Sequence, residues 1–237
     1  MPSSDPRTVR EDALLAAIAA GDPETTRTLM EADPTLASAR VRDGFDAGAT
    51  AVLKAFYLVH FNDPSRVTEG NREVLRLMAE LAPELDLFEA AALGNLERVM
   101  ELSHDEESAN THSGDGWTAL HLAADDDIRA ALIAGGADIN RLSTNQTANT
   151  PLHGAAFGGR LDAVRFFLAH GADPNRVCAY APLHYAAQRA DLPMIKLLIA
   201  NHADPLVAGT DGKTPIDLAT ERGHVEAMEV LTRAKRR

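Results

Sequence analysis

Over much of the chain, apolar residues recur three and four positions apart, and each run stops at a glycine. This is the signature of short helices with one buried face and a left-handed terminus. The pattern is complete between 150 and 171. Leu152, Ala155 and Ala156 form one stripe and Gly159 closes it; Leu161, Val164, Phe167 and Leu168 form a second and Gly171 closes that. Thr150 precedes the first stripe and predicts a cap, its side-chain oxygen accepting a backbone N–H. Pro151 follows at the first helical position, where its missing N–H costs nothing. Asp173-Pro174-Asn175 predicts a turn. The predicted unit is therefore helix, tight turn, helix, connector.

The unit repeats. Thr118-Ala119-Leu120-His121, Thr150-Pro151-Leu152-His153, Ala181-Pro182-Leu183-His184 and Thr214-Pro215-Ile216-Asp217 begin 32, 31 and 33 residues apart. Downstream of the first three, Gly136-Ala137-Asp138-Ile139-Asn140, Gly171-Ala172-Asp173-Pro174-Asn175 and His202-Ala203-Asp204-Pro205 fill one matching slot. These linked motifs resemble the ankyrin repeat, and the layout is similar to uncharacterised bacterial ankyrin-repeat proteins. The resemblance implies an all-α ankyrin-repeat solenoid, with residues 1–237 forming a single domain. About seven units are expected, starting near Asp12, Thr50, Leu85, Thr118, Thr150, Ala181 and Thr214. One such unit cannot bury its own apolar face, so neighbours must cover it.

Two units depart from the pattern. The second is expected to be split by a long polar stretch, 60–71, before a helix from about Arg72 to Leu81. In the fourth, His121 and Gly136 are 15 residues apart, against 18 from His153 to Gly171. Three residues are missing near Asp125, Asp126 and Asp127, and the connector Arg141 to Asn149 is longer than its neighbours.

Composition narrows the function classes. The net charge is −12, and an acidic chain repels phosphate backbones, so no nucleic-acid partner is expected. The basic end, Arg233, Lys235, Arg236 and Arg237, suits a helix C-terminus. No run is long and apolar enough for a membrane partner. Cys178 is the only cysteine, which fits a reducing compartment, and a cytoplasmic monomer is the expectation.

Chemistry is sparse. His121, His153 and His184 share one repeat slot, and helices stand about 8–10 Å apart, too far for one zinc ion whose ligands reach it within about 2.1 Å. A structural role near the turn is implied by the resemblance. His104 and His112, in an acidic stretch, are the alternative site for a metal-dependent activity. No catalytic residue, cofactor or metal site is expected. The resemblance instead implies a protein-binding module, an adaptor or inhibitor, that receives a protein partner in a concave groove lined by first helices and hairpin tips. Carried over position by position, the groove candidates are Trp117, Asp125, Asp126, Asn149, Phe157, Tyr180, Gln188, Arg189, Lys213 and Arg222.

Overall fold

The computed structural model describes residues 5–44, 46–60 and 66–235. Among them the regular elements are helices, with one isolated bridge between Arg40 and Thr50. The helices pair as α1 (Pro6–Ala20) with α2 (Pro23–Ala32), α3 (Ala51–His60) with α4 (Glu69–Leu81), and α5 (Leu87–Leu93) with α6 (Leu96–Leu102). A single turn, α7 (Glu106–Ala109), precedes α8 (Ala119–Leu122) and α9 (Asp126–Ala134). Then come α10 (Pro151–Phe157) with α11 (Leu161–Ala169), α12 (Pro182–Gln188) with α13 (Leu192–Ala200), and α14 (Pro215–Glu221) with α15 (Val225–Ala234). The fold is the all-helical repeat array that the periodicity predicts. Its contacts divide the chain into two compact units, residues 1–136 and 137–237.

The first helix begins earlier than expected, at Pro6 and not near Asp12. Asp5 caps it by accepting from the Arg7 N–H at 3.2 Å, and Pro6 holds the first helical position. Asp-Pro here does the work of Thr-Pro in later repeats. The fourth helix also starts early, at Glu69, because Thr68 and Asn71 form a reciprocal cap. The middle of the expected 60–71 loop lies outside the described residues, as do Arg236 and Arg237 of the basic end.

In unit 1 the core joins Leu14, Ile18, Met30, Leu36, Val52 and Met78. A second cluster is built from Leu53, Phe56, Ala92 and Leu122. In unit 2, Leu152, Val164, Phe167, Leu183, Ile195, Leu198 and Leu231 are fully buried. The pairs Ala155-Ala156 and Ala186-Ala187 are also fully covered. Their small size lets α10 and α12 pack directly against each other.

Asparagines tie the connectors of unit 2 together. The Asp173 N–H donates to Asn140 Oδ1 at 3.0 Å, and the Asp204 N–H donates to Asn175 Oδ1 at 2.7 Å. Asn175 Nδ2 in turn donates to the His202 carbonyl at 2.9 Å. These bonds explain why the slot reads Gly-Ala-Asp-x-Asn. The slot opens with a left-handed residue: φ is +97° at Gly136, +90° at Gly171 and +66° at His202. A side chain is strained there, by roughly 1–2 kcal/mol. His202→Gly is therefore expected to stabilise unit 2 by about 1 kcal/mol, a gain readable by urea denaturation.

Candidate functional site

The histidine row is structural. The Ala181 N–H donates to His184 Nδ1 at 3.2 Å, and the Thr118 N–H donates to His121 Nδ1 at 3.3 Å. With Nδ1 accepting, Nε2 carries the proton. His184 Nε2 then donates to the Lys213 carbonyl at 3.0 Å, and His153 Nε2 to the Arg176 carbonyl at 2.9 Å. The rings of His153 and His184 thus tie a helix start to the next connector. Burial lowers the pKa of both, that of His153 to about 4.

The expected groove residues separate into two kinds. In unit 1, Trp117 is half-buried and packs against the cluster of Leu53, Phe56, Ala92 and Leu122. Its ring stands 5.2 Å from that of His121. The ring thus closes the edge of a core while part of it stays accessible. Asp125 and Asp126 are exposed but open a helix. Asp125 Oδ1 accepts from the Ile128 N–H at 3.0 Å, and Asp126 pairs with Arg129. Loss of three residues has drawn them from the end of a first helix to the start of a second.

In unit 2 the candidates converge. Phe157, at the C-terminus of α10, is 60% exposed and meets Tyr185 edge to face at 5.6 Å. Tyr185 also meets Tyr180 edge to face at 6.0 Å, and Asn149 is half-buried. Tyr180 stacks on His184 at 5.1 Å and donates its hydroxyl to Asp211 Oδ2 at 2.7 Å. A β-carbon on Gly209 would lie 2.5 Å from the Tyr180 ring, so only glycine lets that ring lie flat. The Tyr180 hydroxyl holds the Asp211 carboxyl below its ordinary range. Lys213 Nζ donates to Glu221 at 2.8 Å. Gln188 is half-buried, and its carbonyl accepts from His224 Nε2 at 3.1 Å. Arg189 and Arg222 are exposed at matching C-terminal positions of α12 and α14.

Tyr185 is the residue that sequence reasoning misses. It follows the repeat histidine, where α10 has Gly154 and α14 has Leu218. The available signal was a rare aromatic four residues before Arg189, a spacing that puts both on one helix face.

Two other places gather buried or acidic groups. A cleft of about 760 Å³ opens in unit 1 beside Pro34–Ser38, 83–87 and Ser108. Its buried Glu89 accepts from the Thr50 hydroxyl at 2.6 Å and from the Asp86 N–H at 2.9 Å. Burial raises its pKa. Both carboxylate oxygens are thus already engaged within the protein. The acidic stretch considered for a metal brings His104 Nε2 3.1 Å from Asp105. Among the described residues, no group of three His, Cys, Asp or Glu is placed to hold an ion. Nor is any described helix long and apolar enough to cross a membrane.

Comparison with known proteins agrees with the repeat reading. Residues 87–178 match a family model of ankyrin repeats in three copies, and residues 183–232 match one of ankyrin repeats in many copies. Together these matches span more than half of the chain. The chain is similar to the "Putative E3 ubiquitin-protein ligase XBAT35" of Arabidopsis thaliana, 33% identical over 92 residues. That stretch is 37% of this chain and only 20% of the plant protein.

Proposed function

Because this chain belongs to the ankyrin-repeat proteins, we propose that it acts as an adaptor or inhibitor that binds a protein partner on the first-helix face of residues 149–222. Ankyrin repeats indicate a protein–protein interaction module, and the proposal is the location of the face and the role. One observation carries the location. Phe157 is a large aromatic left 60% exposed, with Tyr185 edge to face against it at 5.6 Å. Aromatics beside arginine are what interface hot spots are made of. Tyr180, Asn149, Arg189 and Lys213 add polar groups around it. Trp117, spent on its own core, is left out of the reading. The single cysteine fits the further expectation of a reducing compartment.

The ligase named for the plant relative describes a protein of which this chain matches a fifth, so its activity is not carried over.

The test is crosslinking and affinity capture from native lysate, with quantitative mass spectrometry. Phe157→Asp should cut recovery of the specific partner at least tenfold while circular dichroism and thermal stability stay unchanged. Undiminished capture by a folded Phe157→Asp protein would remove the face from consideration. Trp117→Ala should instead lower stability of unit 1.

A further inference from the structure

The net charge of −12 is divided unevenly between the two units. Residues 1–136 carry 25 Asp and Glu against 11 Lys and Arg; residues 137–237 carry 10 against 12. The acidity of the chain therefore belongs to unit 1, and unit 2 is slightly cationic. In unit 1 many cations lie against carboxylates, as Arg42 does with Asp12, Lys54 with Asp46 and Arg98 with Glu101. In unit 2, Lys213 is paired with Glu221. Among the described residues, Arg189 and Arg222 face no carboxylate at ion-pair distance.

These two guanidinium groups follow the exposed aromatic along successive repeats, on α12 and α14. A β-carbon on Gly159 would lie 3.1 Å from Arg189 Nη2, so the guanidinium rests against the bare glycine two residues beyond Phe157. Arg222 holds the corresponding place on α14, with the same backbone conformation, and α14 packs beside α12. The face thus offers an apolar ring, a cation next to it, and a second cation one repeat away.

We propose that the occupant of this face is an acidic and apolar segment of the protein partner. One apolar side chain covers Phe157, and two carboxylates pair with Arg189 and Arg222. This deepens the reading of unit 2 as the binding unit and rests on it. Guanidinium groups select carboxylates by their paired, planar donors. Neighbouring helices lie about 8–10 Å apart and an extended chain advances about 3.3 Å per residue, so the two acids should be about three residues apart. A nucleic acid fits less well: Glu221 interrupts the cationic row next to Arg222, and backbone phosphates call for an unbroken basic stripe.

The experiment uses the full chain to select from a displayed library of random dodecapeptides, followed by anisotropy titration of the enriched peptides and of a single-stranded oligonucleotide. Enriched peptides should carry two Asp or Glu about three residues apart beside a Leu, Ile or Phe. Replacing those acids with amides should weaken binding at least tenfold. Arg189→Glu with Arg222→Glu should abolish it and, in a second selection, enrich Lys and Arg at the same positions. Several results would overturn the proposal: no enrichment, enrichment without acids, indifference to the double charge reversal, or tighter binding of the oligonucleotide. Non-acidic peptides that are still lost with Phe157→Asp would sink the acidic segment and leave the binding face standing. Peptides insensitive to every one of these substitutions would sink both.

Discussion

Arg129→Ala should cost unit 1 about 3 kcal/mol. The reason lies in the shortened repeat. Its first helix, α8, is a single turn of four residues where α10, α12 and α14 have seven. The chain that leaves α8 early has carbonyls without helical donors. Arg129 supplies them: its side chain is buried, and Nη2 donates to the Ala123 carbonyl at 3.2 Å and to that of Ala124 at 3.4 Å. Its other terminal nitrogen pairs with Asp126. The Ala124 N–H meanwhile donates to the Ala91 carbonyl of α5 at 3.0 Å, which stitches the short repeat to its neighbour. Alanine would strand a buried carbonyl and empty the space filled by the arginine stem. Arg129→Met keeps the stem, so it should recover about half of the loss. Trp117, the only tryptophan, sits in unit 1, so urea denaturation followed by its fluorescence reads this unit directly. Equal stability of the wild-type and alanine proteins would show that the guanidinium does not replace the missing turn.

Unit 2 should weaken on mild acidification. His153 has its pKa lowered from 6.5 to about 4 because burial disfavours the imidazolium. A depressed folded-state pKa makes the neutral ring a source of stability that is fully present above pH 6.5 and lost as pH falls toward 4. The linkage amounts to about 2 kcal/mol lost by pH 5 and about 3 kcal/mol below pH 4. The His184 shift has the same sign and the same chief cause and acts in the same direction. Carboxylates with lowered pKa, such as Asp211 and Asp217, add their losses only below the ordinary carboxylate range. The pH window therefore separates the two groups. Amide exchange of α10 and α12 between pH 7.5 and 4.5, corrected for intrinsic rates, should show falling protection in unit 2. His153→Gln should flatten that dependence, at the cost of lower stability at neutral pH. A pH-independent protection of α10 would mean that the ring is already charged or is exposed.

How much of this was legible in advance varies along the chain. Between 150 and 234 the repeat and its left-handed turns are local chemistry, and α10 and α14 start where Thr-Pro places them. The early start of the first helix was legible too, since Asp5-Pro6 is a cap followed by proline, but repeat matching gave it no weight. The asparagine bonds between connectors were visible only as a recurring letter. Their partners lie 27–33 residues away, beyond the reach of any local rule.

The sequence alone determined the period and the all-helical class, because both follow from residues within one turn or one repeat; the structural use of the repeat histidines came from the resemblance, and their carbonyl partners stand in the next connector. It could not tell Trp117 from Phe157, since both are aromatics in positions the repeat leaves open. The tertiary structure decided between them. Beneath Trp117 lie Leu53 and Phe56 from another repeat, so its ring joins a core. Phe157 is bordered in sequence by Gly154, Gly158 and Gly159 and meets Tyr185 edge to face, and its ring stays 60% exposed. Exposure is a property of what neighbouring repeats bring to a position, and no period along the chain encodes it.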